Sequence, residues 1–470
     1  MKAHEEVTKR QRTLTGISLF SGGGIGDLAL QSVGIDVLVA SELLPDRASV
    51  FRSNYPGTTM IEGDIRKNKD RIIQEAKCRL QGSILDVLFA TPPCQGMSKN
   101  GRGKLLKGVR CGVKPKLDER NRLALDAVDI ALALRPQLVV FENVPEMKNA
   151  LIEYNGQVRD LLELISELLS PDYEGQWEVV EFADYGVPQR RQRLITVFAL
   201  KSSRQRTRTN WRVLPEPTHS QSPSMFMHPW VTVDDALARV PPLDAANPRT
   251  ASHDDIPFHR VPTLDDAKYF WVSNTPVGRG AFDNQCVNPA CGFDMNPKHG
   301  AKHNSDGINQ ANCDTPLNCV KCGELLPRPW VKDVNGYRLM SGFTSAYKRM
   351  RGDLPSSALT RNMSYACSDH KVHPREHRVL SLHEAFILHT IKDFDFKWTR
   401  DDERKLSDKT IRETIGESIP PKGLETIFMH LTETLLAHQS AGDALVESYM
   451  DLRGGYDGTH LACVETDKAH

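Results

Sequence analysis

Residues 84–98 read ILDVLFATPPCQGMS. The apolar run Ile84–Phe89 has the length and continuity of a buried parallel strand. Pro92 and Pro93 then stiffen the backbone and stop it. A thiol, Cys94, follows directly. Open α/β sheets gather their ligands at the carboxyl ends of the strands, so this thiol stands where such a fold does its chemistry. A lone cysteine there is more often a small buried core residue. The rest of the chain decides between the two readings.

Toward the N-terminus, Thr13–Phe20 reads as a strand that runs into Ser21-Gly22-Gly23-Gly24-Ile25-Gly26-Asp27. Glycines at a strand-to-helix turn let backbone approach a ligand, and a helix start offers free N–H groups to an anion. A helix is expected over Ile25–Val33 and a strand over Asp36–Ala40. Glu42 ends that strand, 20 residues after Gly22. At that spacing an acid can reach the hydroxyls of a ribose. The loop reads Gly-x-Gly-x-Gly and departs from the dinucleotide fingerprint, so a plain tight turn explains it nearly as well. A helix is expected over 46–54, and Gly63-Asp64-Ile65 closes a third short strand. Asp64 suits either an adenine amino group or the cap of the next helix.

Toward the C-terminus, residues 99–116 hold seven Lys or Arg, four glycines and no acid. A flexible basic loop directly after a nucleophile suggests a lid over a phosphate backbone, against the plainer reading of a solvated surface loop. A helix over Arg120–Leu134 precedes the strand Leu138-Val-Val-Phe-Glu142-Asn143. A helix over Tyr154–Ser170 and a strand over Trp177–Phe182 follow. Gln189-Arg190-Arg191-Gln192-Arg193 then leads into the strand Leu194–Leu200. Strand and helix alternating through residue 200 argue for an α/β fold, a doubly wound, mostly parallel sheet.

Residues 201–355 change texture. They are rich in turn residues and read as a second, smaller domain. Within them Cys286-x4-Cys291-Gly and Cys319-x2-Cys322-Gly, with Cys313 between, offer two turns that each present two sulfurs. Four thiolates make a tetrahedral zinc site, a zinc ribbon over 286–322; unliganded reduced thiols are the other reading. From 356 the pattern is globular again. Ser381 and Glu384 form a capping box, and a helix is expected over Leu424–His438. Residues 1–12 and 437–470 read as tails.

The chain has 470 residues with zero formal net charge, so bulk electrostatics announce no nucleic-acid partner. No apolar run reaches the length of a membrane span. The polar start lacks the core of a signal peptide, so a cytoplasmic address is expected. Ten cysteines in so long a chain suggest metal or catalytic roles rather than a disulfide framework.

Six stretches occur in order: Phe20-x-Gly-Gly-Gly, Pro-Pro-Cys94-Gln95, Glu142-Asn143-Val144, Gln189-Arg-Arg191-x-Arg193, Arg378-x-Leu-Ser-x-x-Glu384 and Gly416-x-Ser-x-Pro-Pro. Together they resemble the cytosine-5 DNA methyltransferases of bacteria and their phages, over residues 12–200 and 356–436. The resemblance implies a Rossmann-like methyltransferase domain built from both chain ends, with residues 201–355 as an inserted target recognition domain. It implies methyl transfer from S-adenosylmethionine to carbon 5 of cytosine in a specific double-stranded DNA sequence, with the base flipped out of the helix. It also implies a monomer that a separately acting restriction endonuclease can accompany. A tRNA cytosine methyltransferase and an inactive DNA-binding relative are the alternatives. The large insertion argues against the first, and intact Cys94, Glu142 and Arg193 argue against the second.

The chemistry expected of the residues follows. Position 5 of cytosine is a weak nucleophile until a thiolate adds at position 6, the role of Cys94. Arg191 and Arg193 suit the positive neighbours such a thiolate needs. Glu142 suits a donor to ring nitrogen N3, if burial raises its pKa; an ion pair with an arginine is the alternative. Gln95 belongs to the catalytic turn, and Asn143 resembles the residue that steadies it. The cofactor residues implied are Phe20, Ser21, Gly22, Gly24 and Ile25, then Glu42, Asp64, Ile65, Pro92, Glu417 and Ser418. Phe20 offers an aromatic face to the sulfonium. Glu417 departs from the family, which usually carries Asn there, and Met97 replaces a more usual Phe.

Overall fold

A computed structural model describes residues 13–93, 119–204, 211–298, 302–303, 309–310, 315–334, 336–340, 346–368 and 370–436. Cys94, Gln95, Met97, the basic stretch 99–116, Cys313 and both expected tails lie outside the described residues.

The N-terminal part alternates as expected: β1 (Leu14–Leu19), α1 (Asp27–Ser32), β2 (Ile35–Glu42), α2 (Pro45–Asn54), β3 (Thr59–Glu62), α3 (Ile65–Leu80), β4 (Val87–Ala90), α4 (Leu123–Leu134), β5 (Leu138–Asn143), α5 (Leu161–Leu169), β6 (Tyr173–Glu181) and β7 (Gln192–Leu200). These seven strands form one sheet in the order β3-β2-β1-β4-β5-β7-β6. Six run in one direction, and β7 is reversed between β5 and β6, antiparallel to both. Strand order reverses between β1 and β4, where Leu19 pairs with Ala90. The glycine loop and the proline turn therefore leave the sheet side by side at its switch point.

Alternating side chains feed two cores. Leu88, Val139 and Phe141 pack with Ile72 of α3, Ala131 of α4 and Ile165 of α5. Val87, Phe89 and Val140 face the other way, against Ala29 and Leu30 of α1. That face is closed by the far end of the chain. After α6 (Leu382–Leu388) and α7 (Asp408–Glu417), helix α8 (Pro421–Leu431) lays Leu424, Ile427, Phe428 and Leu431 on it. The Phe428 ring meets Phe89 edge-on with centroids 5.3 Å apart. A separate core spans Leu243 to Val379 and includes Trp271, Phe282 and Tyr347. Its strut is Arg349, which donates to the carbonyls of Thr275, Val272, His373 and Glu376 from a buried position. Trp211, Val213 and Leu214 belong to the α8-covered core. The second core takes in Ala366, Val372 and Val379.

Two local expectations are corrected. No strand closes at 63–65: β3 ends at Glu62, and Asp64 caps the longest helix among the described residues, accepting from Arg66 N. Its capping oxygen outweighs the short apolar pattern. Residues 154–160 are not helical. Leu151–Tyr154 and Gln157–Asp160 pair as a hairpin about Asn155 and Gly156, both at positive φ (51° and 77°). Asn-Gly is the favoured turn of a two-residue hairpin and overrides the helical spacing. The capping box at Ser381 and Glu384 forms as expected, and Glu384 also takes both terminal nitrogens of buried Arg378 at 2.7 Å.

Candidate active site

The carboxyl ends of β1, β2, β4 and β5 converge on one edge of the sheet. At the end of β1, Phe20 adopts φ 59°, a region bulky residues avoid and one that recurs at ligand sites. Thr91 Oγ1 donates to its carbonyl at 2.9 Å and ties the β1 exit to the β4 exit. The glycine loop then turns through Gly22 (φ 57°) and Gly24 (φ 87°). A Cβ on Gly24 would lie 2.4 Å from the ring of Tyr55, so only glycine fits there. Ser21 donates to Ser41 O, and Ile25 is buried.

Glu42 ends β2 beneath this loop. One carboxylate oxygen accepts from Gly22 N at 2.9 Å and the other from Leu44 N at 2.8 Å. Burial pushes its pKa up, while those two N–H groups and Arg47 pull it down and Glu417 pushes it up. The expected spacing of acid and glycine is thus a direct contact. Asp64 and Ile65 sit nearby at the start of α3, and Arg66 holds the Asp64 carboxylate below the usual range.

Beside this pocket, Glu142 lies one residue from the end of β5. Arg193 Nε stands 2.7 Å from Glu142 Oε1, with both side chains largely buried. The antiparallel register makes the pair: Ile195 opposes Glu142, so Arg193, two residues away on β7, shares its face. Burial pushes the Glu142 carboxyl up, opposed by the charges of Arg193 and Arg191. Asn143 Nδ2 donates to Pro92 O at 3.0 Å and its Oδ1 accepts from Val144 N at 2.8 Å. One carboxamide thereby fixes the turn out of β4 to the turn out of β5.

Arg191, whose charge acts on Glu142, also braces distant backbone. Its guanidinium donates to the carbonyls of Leu359, Gly416 and Ser418, at 2.9, 2.9 and 2.6 Å. Ser418 Oγ, expected at the cofactor, bonds His389 Nε2 at 2.9 Å. Sequence reading named Gln189 in a motif without giving it a role and missed His389, and both join this buried knot. Gln189 takes Leu359 N on its oxygen and gives its amide to His389 Nδ1. Nδ1 therefore accepts and Nε2 carries the proton. Burial holds His389 well below the usual range, neutral. Arg47, also missed, pairs with Glu417 at 2.7 Å. No sequence pattern signals His389 or Arg47, because Gln189 and Glu417, which they meet, lie hundreds of positions away.

A cleft of about 740 Å³ opens between this edge and the second core, with Arg190, Arg193, Lys348, Arg351 and His370 among its lining. Away from that core, Cys286, Cys291, Cys319 and Cys322 bring four sulfurs within 4.8 Å of one another. Cys286 and Cys322 are 3.6 Å apart, Cys291 and Cys319 3.9 Å. Zinc–sulfur bonds of about 2.3 Å in a tetrahedron place sulfurs about 3.8 Å apart, so these thiols fit that ion. Gly292 (φ 56°) and Gly323 (φ 80°) let each turn fold back behind its cysteine. Among the described residues no helix is long and apolar enough to cross a membrane.

A family model described as "C-5 cytosine-specific DNA methylase" matches residues 14–433. Similar proteins include the Type II methyltransferase M1.HgaI of Avibacterium volantium, 26% identical over 426 residues, covering 89% of this chain and 98% of that protein. Another is the Type II methyltransferase M.AquIA of Picosynechococcus, 31% identical over 242 residues, covering 48% of this chain and 88% of that protein. Among solved structures, a prophage-encoded DNA modification methyltransferase from E. coli superposes with a TM-score of 0.53 at 19% identity, over 90% of this chain and 99% of that one.

Proposed function

The chain belongs to the C-5 cytosine-specific DNA methylases, and on that premise we propose how its residues divide the work of methylating DNA. The observation that carries the reading is the buried Glu142–Arg193 pair beside the Asn143–Pro92 bond. Cys94 follows Pro93 directly in the sequence, next to the turn that Asn143 holds at Pro92. In this reading the nucleophile and the carboxyl group act on one base at this sheet edge.

Cys94 attacks carbon 6 of a cytosine that has swung out of duplex DNA, an excursion of about a few kcal/mol. Glu142, its pKa raised by burial, gives or shares a proton with N3 and so relieves the charge that addition creates. Arg193 holds the glutamate in place and lends positive potential to the thiolate. Asn143 keeps the cysteine turn in register, and Gln95 belongs to that turn. Arg191 acts through Gly416 and Ser418 as a brace.

S-adenosylmethionine, when bound, supplies the electrophilic methyl group. The residues fit it. Glu42 would take the ribose hydroxyls on its buried carboxylate, and Gly22 and Gly24 would let the backbone approach; Asp64 and Ile65 would hold the adenine. Phe20, Ser21, Ile25 and Pro92 would wall the site on the side of the methyl group, and Glu417 and Ser418 would close the other side.

The cleft lined by Arg190, Lys348 and Arg351 receives the DNA backbone, and residues 201–355 choose the sequence through base-edge contacts. The four thiolates hold a structural zinc that braces this recognition lobe; the sulfur spacings support it. Metal analysis of purified protein should find about one zinc per chain, and a metal-free, stably folded protein would remove that claim. The enzyme works as a cytoplasmic monomer, and the Type II names of its relatives support a restriction endonuclease that acts separately.

Duplex DNA carrying 5-fluorocytosine at the target should trap a covalent complex through Cys94. A Cys94→Ser protein that methylates normally would end the reading. Bisulfite sequencing of a plasmid from expressing cells would give the target sequence.

A further inference from the structure

The ion pair between Arg47, in the first turn of α2, and Glu417, at the last residue of α7, joins segments 370 positions apart in sequence, at 2.7 Å. It lies beside the nucleoside pocket. A Cβ on Gly23 would lie 2.9 Å from Thr414 Cγ2, so α7 packs directly on the glycine loop. Both charges are felt by Glu42, Arg47 lowering and Glu417 raising its pKa.

The local structure does not explain Glu417. A carboxylate at a helix C-terminus opposes the helix dipole, and here it adds to the negative charge of Glu42. The Arg47–Glu417 contact is half open to solvent on the glutamate side (38% exposed, against 15% for the arginine). Pairs of that kind contribute about 0–1 kcal/mol and open readily. The chain therefore holds one cation and one anion, weakly joined, next to the site of a ligand whose far end is a zwitterion.

We propose that Arg47 and Glu417 are the receptor for the amino-acid end of the methyl donor, the guanidinium taking the α-carboxylate and the glutamate the α-ammonium. One exposed ion pair is exchanged for two charge-assisted contacts, each stronger than a neutral hydrogen bond. A ligand that carries only one of the two charges leaves one member of the pair unmatched. The proposal rests on the reading of the pocket as an S-adenosyl site, and it assigns to Glu417 a partner that an amide could not hold as an ion.

Titration calorimetry on the full-length protein tests it with two probes. S-adenosylhomocysteine carries both charged groups, and 5′-methylthioadenosine carries neither. Arg47→Ala and Glu417→Ala should each weaken S-adenosylhomocysteine about tenfold or more, while the affinity for 5′-methylthioadenosine stays within about twofold, which also reports an intact pocket. Glu417→Gln should behave like Glu417→Ala, because the charge is what matters. Equal weakening of both probes would mean that the pair only shapes the pocket, and unchanged affinity for S-adenosylhomocysteine would mean that it does nothing there; either result overturns the proposal. Wild-type protein that binds neither probe would instead overturn the S-adenosyl reading beneath it.

Discussion

The side-chain amide of Asn143 donates to the carbonyl oxygen of Pro92 at 3.0 Å, so the last residue of β5 holds the turn that leaves β4. The same carboxamide accepts from Val144 N, which fixes its orientation. Asn143→Asp keeps the acceptor but turns the donor into a second oxygen facing a carbonyl. Stopped assays of methyl transfer should show a fall in kcat of about 10-fold or more with cofactor KM little changed, the pattern of a misplaced nucleophile. Unchanged kcat would show that the turn holds without this bond.

Glu142 yields a pH prediction. Its folded-state pKa is raised by burial, so the proton that N3 needs persists to higher pH than on a free glutamate and is lost as pH climbs through the raised value. Activity should decline along that alkaline limb. Arg193→Ala removes a charge that favours the ionised form, and should move the limb to still higher pH. Glu142→Gln should lower kcat about 100-fold or more and abolish the limb. A limb that persists in Glu142→Gln would belong to another group.

Asp27 is buried, one oxygen has no hydrogen-bond partner among the described residues, and its pKa is raised from 3.8 to about 7. Between those values the folded chain keeps a proton that the unfolded chain has released. The contribution of Asp27 to stability is therefore greatest below the window, falls as pH rises through it, and is level above. Asp27→Asn should raise Tm relative to wild type more on the alkaline side of the window than on the acid side. An equal difference on both sides would mean that Asp27 titrates normally.

Gly416 has no room for a side chain: its Cβ would lie 2.3 Å from the backbone nitrogen of Arg361. Backbone cannot swing aside as a side-chain tip can, so Gly416→Ala should destabilise by about 1–3 kcal/mol. It should also loosen the Arg191 bond to the Gly416 carbonyl. Denaturant melts would check this, and a neutral variant would show that α7 can shift as a unit.

Local pattern made much of this legible. The strand-to-glycine turn, the 20-residue step from Gly22 to Glu42 and the capping box at Ser381 are short-range features, and each appears as a contact. Arg191 has a bracing role that its neighbourhood did not announce, because the carbonyls it holds, those of Leu359, Gly416 and Ser418, come from segments far along the chain. His389 and Arg47 carry no signal of their own, since each acquires its role only when segments far apart in sequence meet. The hairpin at Asn155-Gly156 was readable, but an apolar spacing that also suits a helix masked it.

The helix that covers Phe89 and α1 is made hundreds of residues after the strand it covers. Until Leu424–Leu431 has emerged, the growing polypeptide holds an open apolar face under its glycine loop. Premature termination anywhere before that point therefore leaves the cofactor half unfinished, and translation through Leu431 becomes the checkpoint before any nucleotide is touched.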